Sequence, residues 1–115
     1  MSKNLLTEAA KKYTVFEISN VNKKSKNYGR KIYIASSYMT EENVLSRLRS
    51  MQDSKTGKGG SKEASRDIKA AGSNYDQQFK VRVVKSNLSR ERAEEVKAAA
   101  IEKHTKVYNQ EMRVQ

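Results

Sequence analysis

The sequence predicts a small α/β (α+β) domain: a three-stranded, mainly antiparallel sheet flanked by helices, in the order (α)ββααβα. Three observations predict it. Two short segments that alternate apolar and polar residues, 14–19 (TVFEIS) and 30–35 (RKIYIA), flank a polar stretch and read as a hairpin. Two segments with apolar residues at helical spacing follow, each behind a capping residue. A third alternating segment, 79–84 (FKVRVV), then leads into a last capped helix.

Residues 3–12 (KNLLTEAAKK) read as a short helix with Leu5, Leu6, Ala9 and Ala10 on one face. In the first strand Val15 and Glu17 point one way and Phe16 and Ile18 the other, because side chains alternate across a sheet. The connection 20–29 carries Lys23, Lys24 and Lys26 with no acid, and Asn27-Tyr28-Gly29 supplies turn chemistry. Thr40 caps a helix opening with Glu41 and Glu42, whose charges suit the positive end of the helix dipole. Val44, Leu45, Leu48 and Met51 (or Gln52) form its apolar stripe. Residues 53–61 (DSKTGKGGS) break it as a loop. Ser61 caps the next helix, whose inner face is Ala64, Ile68 and Ala71 and which Gly72 ends. In the third strand Phe79, Val81 and Val83 face inward, while Lys80 and Arg82 face out. Ser89 caps the final helix, with Ala93, Val96, Ala100 and Ile101 at its buried positions.

Composition narrows the function. At 115 residues the chain holds one modest core, and a hydrophobic content of 36% with 7% aromatics keeps that core small. There is no cysteine, which removes disulfides, thiolate nucleophiles and cysteine-based zinc sites together. A single histidine, His104, excludes a histidine-rich metal site. No stretch approaches a membrane span, so a soluble, cytoplasmic protein is the expectation. The net charge of +11 favours anionic partners, chiefly nucleic acid, through phosphate neutralisation and counterion release.

Several of these residues, in this order, resemble a GIY-YIG nuclease domain. That family pairs a Gly-Ile-Tyr strand with a Tyr-Ile-Gly strand, places an arginine on the first helix and a glutamate on a later one, and often closes with Tyr-Asn. Thr14-Val15-Phe16 stands in the first motif, and Glu17-Ile18-Ser19-Asn20 is similar to its usual continuation. Tyr33-Ile34-Ala35 stands in the second, Arg47 looks like the helix arginine, and Tyr108-Asn109 looks like the closing pair. The stretch from Ile68 through Phe79 to Val84 resembles the family's helix, glycine, phenylalanine and third strand. The likeness spans residues 13–109. The chain therefore reads as one GIY-YIG-like domain over residues 1–115, with 1–12 as an N-terminal helix or arm and 110–115 as a tail.

The departures from the family matter more. The first-motif tyrosine, which the resemblance implies would help deprotonate the attacking water, is Phe16, without a hydroxyl. The position one helical turn past the arginine is Met51, which has no acid–base capacity. The magnesium-holding glutamate falls at Lys97, four residues before Ile101. A protonated lysine cannot ligate a divalent cation and repels one. Losing the metal costs several kcal/mol of barrier, or about a thousandfold or more in rate. Tyr33 and Arg47 are then vestigial as catalytic residues, although both can grip a phosphate, the arginine by paired hydrogen bonds. Glu94, three residues before Lys97 on nearly the same helix face, is the alternative metal carboxylate.

The expectation is a non-cleaving, metal-independent nucleic-acid-binding protein with no cofactor, DNA being favoured over RNA as partner. Its phosphate contacts would come from Tyr33, Arg47 and Lys97 with Lys23, Lys24, Lys26, Arg30, Lys31 and Arg49. A solvated basic hairpin loop is the plainer reading of those lysines. Tyr28 and Tyr38 are the aromatics least needed by the core and could stack on bases. Gly57-Lys58-Gly59-Gly60-Ser61 lacks the spacing and the preceding strand of a phosphate-binding loop. Two other readings stand beside the first. One is a magnesium-dependent endonuclease using Tyr33, Arg47 and Glu94. The other is a protein-binding accessory or inhibitor module aimed at an acidic partner, since the family is common in phages and mobile elements.

Overall fold

The computed structural model describes residues 12–50, 62–104 and 106–108. Residues 3–11 of the expected first helix, the loop 53–61, Met51 and Asn109 lie outside the described residues.

The chain forms a mixed α/β domain around a three-stranded antiparallel sheet. β1 (Tyr13–Asn20) pairs with β2 (Lys31–Ser36), bringing Phe16 opposite Ile34 and Glu17 opposite Tyr33. β3 (Phe79–Leu88) pairs with the other side of β1, bringing Glu17 opposite Arg82 and Ser19 opposite Lys80. The strand order is thus β2-β1-β3. Among the described helices are α1 (Val44–Ser50), α2 (Lys62–Ala70), α3 (Tyr75–Gln78) and α4 (Arg90–Lys103). Alternation sorts the strand side chains between two helical layers. On one face Phe16, Ile18, Ile32 and Ile34 pack with Val44, Leu45 and Leu48 of α1 and Ala64 and Ile68 of α2. On the other, Val15 and Leu88 meet Ala93 of α4, and Tyr33 meets Ile101. Burying a side chain of this size stabilises by about 1.5–3 kcal/mol.

Four local features depart from the sequence reading, each for a physical reason. α1 starts at Val44 because Thr40 and Asn43 cap one another: Thr40 N donates to Asn43 Oδ1 at 2.8 Å and Asn43 N to Thr40 Oγ1 at 3.3 Å. Glu41 and Glu42 therefore sit in the turn before the helix. Gly72, at φ 66°, ends the region of α2 as expected, but the chain then makes a 3₁₀ turn (Gly72–Asn74) and α3, both too short to leave a periodic trace. β3 runs on to Leu88, since Lys85 pairs with Val15 and Leu88 with Tyr13 across register shifts in β1. Val83, expected inward, is 37% exposed because β3 is an edge strand.

The outer edge of β2 is closed by the C-terminal segment. Lys31 N donates to Lys106 O at 3.0 Å and Tyr108 N to Lys31 O at 2.7 Å, forming a parallel bridge between Lys31 and Val107. Among the described residues no helix is long and apolar enough to cross a membrane.

Candidate functional site

Glu17 is the centre of the polar chemistry on the α4 side of the sheet. It stands mid-strand on β1, flanked by Tyr33 of β2 and Arg82 of β3, and is only 6% exposed. Tyr33 Oη donates to Glu17 Oε2 at 2.7 Å. Arg82 grips both oxygens, Nε donating to Oε1 at 3.2 Å and Nη2 to Oε2 at 3.1 Å. Lys31 Nζ lies 3.6 Å from Oε1 and donates to Ser19 Oγ at 2.8 Å. Burial pushes the Glu17 carboxyl up, but hydrogen bonds from Arg82 and Tyr33 and the charges of Lys31 and Arg82 outweigh it and hold it at about 2, against an ordinary 4.5. The same geometry raises the Tyr33 phenol, through burial, its hydrogen bond to Glu17 and the carboxylate charge. Tyr33 consequently stays a neutral phenol that donates to Glu17 and does not supply a phenolate base.

Tyr33 also forms part of the wall of a cavity of about 290 Å³ between the sheet and α4. Its ring stacks on His104, with centroids 5.7 Å apart. Arg82, Arg92 and Lys103 contribute cations to the lining, and Val96 and Ala100 an apolar wall. Glu95 is the acid of this lining, and Arg92 Nη1 donates to it at 2.9 Å. Arg82, with a side chain 62% exposed, keeps guanidinium donors free of Glu17.

Lys97 lies on the buried face of α4, between Ala93 and Ile101, and is 5% exposed. Its ammonium is 3.2 Å from Glu94 Oε2, an ion pair whose acid is half-exposed. Glu94, the alternative metal carboxylate of the sequence reading, is engaged with a cation. Among the described residues no group of three or more His, Asp or Glu side chains is placed to hold a metal ion.

The other expected contacts are distributed elsewhere. Phe16 points into the layer of α1 and α2, away from Tyr33, where a phenyl ring needs no hydrogen-bond partner. Arg47 is exposed on α1 with its guanidinium 5.4 Å from the centre of the Tyr38 ring, and Arg49 lies 5.1 Å from that of Tyr75. α1 packs on the opposite face of the sheet from Tyr33, so the structure brings Tyr33 and Lys97 to one layer and leaves Arg47 on the other. Arg30 covers Tyr108 at 4.4 Å and pairs with Glu63 at 3.0 Å. Lys23, Lys24 and Lys26 are exposed on the β1–β2 loop. Tyr28 and Tyr38 are exposed at 44% and 62%.

Sequence reasoning missed Glu17, Arg82, Arg92 and Lys103 as members of one site. The available signal was a glutamate in mid-strand on the face opposite Phe16 and Ile18; its pairing with Tyr33 and Arg82 depends on strand register, which single strands do not encode. Comparison with protein-family models, with curated proteins and with solved structures finds no match for this chain.

Proposed function

We propose that this chain is a GIY-YIG-like domain that binds nucleic acid, DNA in preference to RNA, through its phosphates and without cleaving it. The observation that carries this reading is the pairing of carboxylates on the α4 side of the sheet. Glu17 is enclosed by Arg82, Tyr33 and Lys31, and Glu94 is bound to Lys97. A divalent cation would have to displace a guanidinium or an ammonium to reach either acid. Arg82, Arg92 and Lys103 meanwhile surround a cavity with donors suited to phosphate oxygens. The formal charge of +11 supplies the long-range attraction. Lys97 acts by neutralising Glu94, and Arg82, Arg92, Lys103 and Lys31 make the contacts.

Incubation of supercoiled plasmid with pure protein and magnesium or manganese tests the absence of cutting, and fluorescence anisotropy on labelled DNA and RNA tests the binding. No nicking is expected, and binding should fall at about 10⁻⁴ to 10⁻⁶ M and weaken steeply with salt. Arg82→Ala should weaken it for every sequence alike. Nicking that disappears in Glu94→Ala would establish the endonuclease reading instead. Undetectable affinity for DNA and RNA at low salt would remove the nucleic-acid reading and leave the acidic-protein one.

A further inference from the structure

A second cavity, of about 280 Å³, opens on the other side of the sheet between the β1–β2 loop, the end of α2 and α3. Ala70, Ala71 and Phe79 form an apolar wall, and Ser25, Asp67 and Gln78 bring polar atoms to it. The hydrogen bonds around these three residues fix what they present. Asp67 Oδ2 accepts from Asn27 Nδ2 at 2.6 Å and from Tyr108 Oη at 3.0 Å, while Oδ1 has no partner among the described residues. Lys24 N donates to Asn22 Oδ1 at 3.0 Å, which sets the orientation of that amide. Asn22 Nδ2 therefore donates to Gln78 Oε1, at 2.9 Å, and the Gln78 NH₂ group is left to donate elsewhere. Ser25 Oγ accepts from Asn20 Nδ2 at 3.2 Å and Asn27 N at 3.0 Å, leaving its hydroxyl hydrogen.

A negatively charged acceptor, an amide donor and a hydroxyl donor thus stand beside an apolar wall in a space fit for one planar ring system. On the rim, the same loop that carries Asn22 and Ser25 exposes Lys23, Lys24 and Lys26. We infer that this cavity is a site for an unpaired guanine base, with the loop lysines holding the attached phosphate. Guanine offers two adjacent N–H donors, N1 and N2, that converge on the open Oδ1 of Asp67, and a carbonyl O6 to the Gln78 amide. Adenine, cytosine and uracil each bring one donor group beside an acceptor, so they satisfy the carboxylate less fully. A paired guanine has this edge occupied, which restricts the ligand to single strands, strand ends or a free guanine nucleotide. As a property of nucleic acid the inference rests on the reading above, but it uses a different face and different residues.

The test is anisotropy with the full chain and oligothymidine strands carrying one guanine, adenine or cytosine, together with calorimetric titration of free guanosine monophosphate. The guanine strand should bind at least about tenfold more tightly than the others. Gln78→Glu keeps the acceptor used by Asn22 and replaces the donor by an acceptor facing O6, so the preference should vanish while the fold persists. Asp67→Asn, which still accepts from Asn27 and Tyr108, should also abolish it. Equal, salt-sensitive binding of all strands would overturn the guanine site and leave the phosphate reading standing. Loss of all strand binding, with guanosine monophosphate still bound by the wild type and not by Gln78→Glu, would support the site with a free nucleotide as its ligand. A preference that survives both substitutions, or no guanine binding in either form, sinks the inference.

Discussion

Glu17 illustrates how a single buried acid sets a measurable property of the whole domain. Its folded-state value of about 2 lies below its ordinary 4.5, so the ionised form favours folding. That contribution is complete above about pH 4.5 and is lost as the pH falls from there towards 2; its size is about 3 kcal/mol at most. Urea unfolding followed from pH 7 to pH 3 should show wild-type stability dropping across this window. Glu17→Gln should be less stable at pH 7 and nearly flat over the same range. Lys97 shows the opposite balance. A buried ammonium held by one half-exposed carboxylate gains little net energy, because desolvation offsets the attraction. Lys97→Met is therefore expected to leave the melting temperature unchanged or raise it. Glu94→Ala, which leaves the ammonium buried without its acid, should cost about 1–3 kcal/mol. Lys97→Glu would set two carboxylates against each other on one face of α4 and should lower stability more than Lys97→Met.

At the level of elements, the β1–β2 loop is a constrained connection. Asn20 N donates to Arg30 O at 2.9 Å and Gly29 N to Asn20 O at 2.8 Å, closing the loop at its base. Gly29 makes this closure at φ 85°, a left-handed conformation that an L side chain resists. A methyl group there would meet only Lys106 Cδ at 4.0 Å, so the penalty is conformational. Gly29→Ala should cost about 1–2 kcal/mol in urea unfolding, without altering the circular-dichroism spectrum of the folded state. If the loop also carries the guanine site, the same substitution should reduce the base preference by loosening Asn22 and Ser25. α4 shows how much an element can reveal on its own. Ala93, Lys97 and Ile101 recur every fourth residue, and all three are buried, with Val96 and Ala100 beside them half-buried. Ala93, Val96, Ala100 and Ile101 were the buried positions expected from the sequence; the structure adds Lys97 to that face, where a charge requires a partner such as Glu94.

For the whole molecule, charge and chain order govern what was legible. The net +11 predicts a steep salt dependence for the proposed nucleic-acid binding, since each released counterion adds to the slope of affinity against salt. The strand segments, the cap at Ser89, the end of α2 at Gly72 and the alternation of Phe16 and Ile18 against Val15 and Glu17 were all readable, because each depends on neighbours within a few residues. The short turns after Gly72, the extension of β3 to Leu88 and the exposure of Val83 were not, because they depend on pairing and on which strand lies at an edge. The candidate sites divide in the same way. By itself the sequence determined the residue types available: an excess of cations, a lysine four residues before Ile101 in the last helix, and a phenylalanine in the first strand. Tertiary structure decided the partnerships, setting Glu17 between Tyr33 and Arg82, sending Arg47 to the opposite layer, and bringing Asp67 within reach of Asn27 and Tyr108. These contacts join positions from 16 to 65 residues apart, and a hydrogen bond between such distant groups exists only once strand register and helix packing have fixed where each atom lies.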